Sequence, residues 1–456
     1  MLRTALVTGL AGLCTVAAGA TYYSAHSTRS ALDSMLHSKE LTSGAVRLVE
    51  KSRETSLLST HGTMAVQFDA SCLNPESPMV DVPVLLDYSF DHRPGIDGLS
   101  RLKLTLALTD EADEKVREAV GARPLLELHG NVDFAGRLQA TFSTPEVTAQ
   151  APDGTDSVKI AASSGEIQQL SSEVAIAWRL PSIGGTSKQG RFELKQFTVA
   201  GHYTDPVAGF GKQTIGLESV DVSDRRGRSQ MQLRDLRIDQ EQSLENGMIN
   251  ISTTPSIARV SVADQTFEDL GMRVAVERID SNAFTRLQAL SRTDCQQAMT
   301  DEHLKSLEGA LFDLVERGMR LNIDQIRGRR GQDSFDGRML FTLAPADKGT
   351  PTLLERTRVE LAANVSAAMV PEEVVEPMTA QGLITASADK LSTELTLADG
   401  RLRINGTPGP AHFDQQVQGM LAMGESGMSG WREQVLAGQA PLASMTSQLL
   451  RQARGS

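Results

Sequence analysis

Short runs in which apolar and polar or small residues alternate recur from Ala45 to Ile404, and no other feature restricts the fold as much. Leu102-Lys103-Leu104-Thr105-Leu106, Val174-Ala175-Ile176-Ala177-Trp178 and Ile257-Ala258-Arg259-Val260-Ser261-Val262 each place one apolar row on one side of an extended chain. The reason is geometric: successive side chains of a strand point to opposite faces. Between 158 and 276 these runs are broken by glycines and charged turns, the pattern of an antiparallel meander. The expected fold class is α+β, mainly antiparallel β, with elongated curved sheets and short packed helices behind an N-terminal transmembrane helix.

That helix is read from Ala5 to Tyr23, a stretch with no charged residue behind a single Arg3. At helical rise such a length covers the roughly 30 Å of a bilayer core. Ala5, Leu6, Val7, Leu10, Leu13 and Val16 supply its apolar surface, and Tyr22-Tyr23 suit the membrane interface. An uncleaved anchor is the expectation, with the bulk of the chain exported to the periplasm of a bacterium. A secretory signal cut at Ala18-Gly19-Ala20 is the alternative. A lipoprotein signal at Cys14 fails because Leu13 stands where a small residue is needed.

The remaining roughly 430 residues exceed one ordinary core, so more than one unit is expected. Against 45 basic residues stand 57 acidic ones, a formal net charge of −12, which excludes nucleic acid as a partner of the whole domain. Aromatic residues are only 4% of the chain, which suits thin sheets better than deep stacking pockets. Beyond Cys14 only Cys72 and Cys295 remain, too few and too far apart for a zinc site. In an oxidising compartment they are either joined in a disulfide or held as two buried thiols, and the sequence leaves both open.

In chain order, Ser27 to Leu41 reads as a helical stalk, followed by a hairpin of Ala45–Val49 and Leu57–Val66. Val82 to Phe90 is a further strand, and Asp91-His92-Arg93-Pro94-Gly95 is a shaped turn after it. Thr109-Asp110 supplies caps and Gly121 a stop for a short helix, with strands at Leu125–Leu128 and Leu138–Phe142 flanking Phe134-Ala135-Gly136-Arg137. Ser281 caps a helix carrying Phe284, Leu287 and Leu290. Leu304, Leu307, Leu311 and Leu314 line another that stops at Gly318. Strands at Leu321–Ile326 and Met339–Leu343 then flank Phe335-Asp336-Gly337-Arg338, which suggests an internal repeat of helix, strand, turn and strand. Gly190-Arg191 and Gly400-Arg401 open other runs, and their arginines are read as covers for sheet edges. Pro371-Glu372-Glu373 opens a short helix. These signals divide the chain into an anchor at 1–24, a domain at 25–410 made of two units at about 43–200 and 201–410, and a loosely helical or disordered tail at 411–456.

Chemistry is hard to find. Asp91-His92 invites an acid–base reading, but no Ser or Cys nucleophile stands at a recognisable spacing. His92, His129 and His202 are therefore expected to be dispensable except for folding. Gly209-Phe210-Gly211-Lys212-Gln213 fails as a phosphate loop, since Pro206 takes the place of its first glycine and Gln213 that of its hydroxyl residue. The eight histidines form no HExxH and no metal-ligand pair, so neither a catalytic site, a metal nor a cofactor is expected.

The N-terminal anchor, Leu57-Leu58-Ser59-Thr60, the Asp91-His92-Arg93-Pro94-Gly95 turn, Gly318-Met319-Arg320-Leu321 and Gly400-Arg401-Leu402-Arg403-Ile404-Asn405-Gly406 together resemble the bacterial YdgA family of uncharacterised proteins. The likeness spans about residues 1 to 410. It implies an inner-membrane-anchored periplasmic protein that self-associates, with no catalytic residues or cofactor. The expected function is that of a non-enzymatic envelope protein that binds a partner or itself, as in a homodimer, with a role in envelope maintenance. The alternative is a groove that carries lipid, as in AsmA-like proteins. An enzyme is the third reading.

Overall fold

The computed structural model describes residues 46–69, 79–93, 98–112, 114–121, 123–151, 154–206, 208–263, 265–291, 301–346, 352–409 and 411–437. The apolar run from Ala5 to Tyr23, Cys72 and Cys295 lie outside the described residues. Among those described, no helix is long and apolar enough to cross a membrane. The chain forms two compact units. One holds the residues up to Gly211 with Val222–Arg228, and the other holds Lys212–Asp221, Ser229–Ser291 and the described residues after Ala298.

The first unit is a meander. Strands β1 (Val46–Thr55), β2 (Ser59–Asp69), β3 (Met79–Asp91) and β4 (Ser100–Leu108) pair antiparallel with their neighbours in the sequence. A short helix α1 (Glu114–Val120) precedes β5 (Leu126–Val132) and β6 (Leu138–Thr144). Pro145 separates β6 from β7 (Val147–Gln150), and Ala161-Ala162 separates β8 (Ser157–Ile160) from β9 (Ser163–Leu170). Both β8 and β9 then pair with the long β10 (Glu173–Ser187), which pairs with β11 (Gly190–Asp205). Because opposed residues share a face, one apolar row crosses the unit from Tyr88 through Leu104, Leu128 and Phe142 to Trp178 and Val199. Its tightest part is Met64 and Tyr88, packed with Leu48, Leu86 and Phe90.

The second unit repeats the logic with longer strands. β12 (Phe210–Asp224) lends it Lys212–Asp221, and β13 (Ser229–Glu245), β14 (Met248–Val262) and β15 (Gln265–Asp280) follow. Helices α2 (Ser281–Ser291) and α3 (Asp301–Arg317) are inserted before β16 (Met319–Arg330) and β17 (Asp333–Leu343). A one-turn helix α4 (Leu353–Arg356) leads into β18 (Thr357–Ser366), and α5 (Glu372–Ala380) into β19 (Thr385–Ser387), β20 (Lys390–Ala398), β21 (Arg401–Ile404) and β22 (Thr407–Pro408). Every pairing from β13 to β22 is antiparallel. Asp235, Asp269 and Gln325 have positive φ inside β13, β15 and β16, and at Asp269 and Gln325 the register of the pairing slips. Such bulges bend a strand and sharpen its twist.

Several expectations change. Leu57 and Leu58 sit in the β1–β2 turn rather than in β2. Thr109–Ala112 is a turn of its own, closed by Ala112 N–H donating to Thr109 O at 3.1 Å, and α1 starts only at Glu114. The cap of α2 is Asp280, whose Oδ1 accepts from Ala283 N–H at 2.9 Å, and Ser281 is the first helical residue. Phe335-Asp336-Gly337-Arg338 lies within β17, and the turn is Gly331-Gln332. Phe134-Ala135-Gly136-Arg137 is a true turn, held by Asp133 Oδ1 accepting from Ala135 and Arg137 N–H. The order helix, strand, turn and strand occurs in both places, as α1, β5 and β6 and as α3, β16 and β17, but the two Gly-Arg segments are not equivalent within it. After Gly409 the chain forms α6 (Ala411–Leu436), fixed to α3 by Trp431 Nε1–H donating to Glu308 Oε1 at 2.7 Å.

Candidate functional site: a polar trough and a buried histidine

His92 follows directly on β3 and is completely buried. Its Nε2 lies 2.9 Å from Thr60 Oγ1, also completely buried, and His92 N–H donates to Leu58 O at 2.8 Å. The Nδ1 has no hydrogen-bond partner among the described residues. Burial lowers the imidazole pKa below its ordinary value, and the Asp91 carboxylate opposes this only in part. Asp91 itself faces outward, where hydrogen bonds from Arg93, at 2.7 and 2.8 Å, lower its pKa to about 2. The sequence put Asp91 and His92 side by side. The strand's alternation sends them to different environments, so they do not form an acid–base pair.

On the face opposite the apolar row, the first unit carries a trough. Lys103, His129, Thr141, Glu166, Ala177 and Ala200 are opposed in turn across β4, β5, β6, β9, β10 and β11. Two adjoining cavities, about 630 and 500 Å³, share His129, Thr141 and Glu166. Alanines at 177 and 200 make the floor low, while Glu127, Ser143, Ser164 and Arg179 line the first cavity. Arg101, Asn131, Gln139 and Gln168 line the second. Arg179 donates two hydrogen bonds to Gln196 Oε1, at 2.9 and 2.7 Å, which fixes one wall. The trough offers donors and acceptors of both signs, and Phe142 and Trp178 also line its first cavity.

His129 thus belongs to the trough, whereas His202 lies 3.7 Å from Glu173 on the exposed surface. Alanine alternates with large residues in Val174-Ala175-Ile176-Ala177-Trp178, but nothing local says which strands will stand beside it.

The second unit has its own groove of about 690 Å³, across β13 to β17, with Arg237, Arg327 and Arg329 against Asp235, Asp269 and Asp336. Arg329 pairs with Asp269 at 2.5 Å and Arg237 with Asp239 at 2.7 Å. The pairing with Arg237 and a hydrogen bond from Thr214 lower the Asp239 pKa. Among the described residues no group of three or more His, Cys, Asp or Glu is arranged to hold a metal ion.

Neither the curated proteins nor the solved structures contain a match to this chain. A family model does match, over residues 1–412. The chain belongs to the family described as bacterial protein of unknown function (DUF945).

Proposed function

We propose that the chain is a non-enzymatic binding protein of the bacterial envelope, held in the inner membrane by residues 5–23 with its two units in the periplasm. There it binds a partner protein or a second copy of itself, a role in keeping with the YdgA resemblance and with envelope maintenance. The supporting observation is burial along two of the longest strands. β11 and β13, 16 and 17 residues long, contain no fully buried residue, so both faces of these strands stay in reach of solvent. Contact area of that kind, with the His129–Glu166 trough on it, serves association better than an enclosed reaction. In-cell photocrosslinking from positions 141 and 166 tests the reading. A discrete protein adduct, or a crosslinked dimer, is expected. Crosslinking to no protein at either position in intact cells refutes it.

A lipid-carrying role is the second reading. It draws on the apolar row of the first unit, where Leu104, Leu128, Phe142 and Trp178 are only half-buried. Movement of a fluorescent phospholipid between donor and acceptor vesicles in the presence of the full chain favours it. Vesicle-to-vesicle movement no faster than without protein removes it.

A further inference from the structure

Register shows which turns of the first unit share an end of the sheet. A paired row runs from Thr60 in β2 to Ile176 in β10. Beyond it, on one side, lie the β1–β2, β5–β6 and β9–β10 turns, together with the β3–β4 connection that carries Arg93. Large apolar side chains stand there, three in the turns and one at the last residue of β9: Leu57 is 53% exposed, Leu58 51%, Phe134 64% and Leu170 48%. Turn residues are ordinarily polar or glycine, so four large apolar side chains in one line call for a partner.

The partner's nature follows from spacing and charge. Strands about 4.8 Å apart place Leu58 and Leu170 roughly 24 Å from one another, with Phe134 between them. They are separate tips on a line rather than one closed patch. A fluid apolar phase fills in around such tips. A rigid protein surface would have to match each. Arg93 and Arg137 flank the tips, but each is bonded to its own carboxylate, Asp91 at 2.7 Å and Asp133 at 2.6 Å. These two arginines therefore add no unpaired basic charge to the fringe that would select an anionic surface.

Reach permits contact with the membrane that precedes the unit. β1 enters at the opposite end and runs 10 residues to the Leu57-Leu58 turn, about 33 Å at strand rise. Between Tyr23 and Val46 the sequence has 22 residues, which fully extended span up to roughly 73 Å. We propose that this fringe of turn tips dips into the head-group layer of the phospholipid bilayer in which residues 5–23 are held, without needing anionic lipid; the inference rests on the anchor reading above.

The experiment uses the full chain reconstituted in phosphatidylcholine vesicles, with photoreactive benzoyl-phenylalanine in place of Leu58, Phe134 or Leu170. Phe192, exposed at the opposite end of the sheet in β11, is the control position. Phospholipid adducts several-fold above the control at the three fringe positions are the expected result. A chain that floats with the vesicles but gives adducts no higher than at Phe192, or adducts to a second copy of the chain, overturns the fringe proposal alone. A chain that does not float with the vesicles overturns the anchor reading and the fringe together.

Discussion

Thr60 Oγ1 and His92 Nε2 meet at 2.9 Å with both side chains completely shut off from solvent, tying the start of β2 to the residue that follows β3. Since His92 Nδ1 has no partner among the described residues, the less costly tautomer carries its proton on Nε2 and donates to Thr60. Protonating Nδ1 would add a buried donor with nothing to accept it. Burial of the same ring lowers its pKa.

The first prediction follows with its sign. The unfolded imidazole titrates near 6.5 and the folded one below that, so unfolding takes up a proton between the two values. Stability is fully present above about pH 6.5 and falls as pH drops toward the folded value. Denaturant midpoints read through Trp178, in β10, should therefore decline between pH 7 and pH 5. In His92→Gln, which keeps a donor for Thr60 but does not titrate, that decline should shrink. Equal pH slopes in the two chains would exclude the argument. At constant neutral pH, Thr60→Val should cost about 1–3 kcal/mol by orphaning a buried nitrogen.

Glycines opposed to aromatic rings give the second prediction. Gly165 faces Phe142 across β9 and β6, and a Cβ added there would lie 2.3 Å from the ring and 2.4 Å from the Ala177 carbonyl oxygen. Gly62 with Tyr88, Gly185 with Phe192 and Gly328 with Phe335 repeat the arrangement, each ring lying over the glycine on the neighbouring strand. Gly165→Ala should destabilise by about 1–3 kcal/mol through overpacking. Gly184→Ala is the contrast, since its nearest atom would be a carbonyl oxygen at 3.7 Å. It should be neutral or slightly stabilising, because glycine weakens a strand interior. Thermal melts of both variants decide the matter.

The capping residue of α2 supplies the third. Asp280 is 2% exposed, accepts from Ala283 N–H and receives Arg317 at 2.8 Å on its other oxygen. Asp280→Ala should cost about 1–3 kcal/mol, from a lost cap and a broken pair whose arginine is largely solvated. Ser281→Ala should change little. A larger loss at Ser281 in chemical denaturation would restore the cap to that residue.

These cases show where the sequence was legible. Alternation identified β4 from Leu102-Lys103-Leu104-Thr105-Leu106, since a period of two needs only local information. Gly121 and Gly318, both with positive φ, ended their helices as read. The Asp280 cap was missed because Asp and Ser stand side by side and only backbone geometry chooses between them. Phe335-Asp336-Gly337-Arg338 was misread because Gly337 looks like turn glycine, yet it is paired with Ile326 and Ala363 inside a sheet. The trough and the glycine–ring pairs were invisible for another reason. Their partners are brought together by strand order, which periodicity does not encode.

The C-terminal helix gives the last prediction. α6 contains Gly419, Gly424, Gly427 and Gly430, and glycine in a helix interior is about 1 kcal/mol less favourable than alanine. Isolated, such a sequence would hold its helix poorly, so its order depends on docking. The docking point is Trp431, half-buried, whose ring packs edge-on against Phe312 at 5.4 Å while its N–H donates to Glu308, a carboxylate 2% exposed in α3. Trp431→Ala removes the ring contact and the donor together, whereas Trp431→Phe keeps an aromatic edge and loses only the hydrogen bond. Hydrogen exchange should therefore show α6 amides losing protection strongly in the alanine variant and partly in the phenylalanine variant. Protection in β16 and β17 should stay near its original level, because those strands are held by their own pairing. If α6 amides remained as protected in Trp431→Ala as in the parent chain, intrinsic helix stability rather than the Trp431–Glu308 contact would have to order the segment.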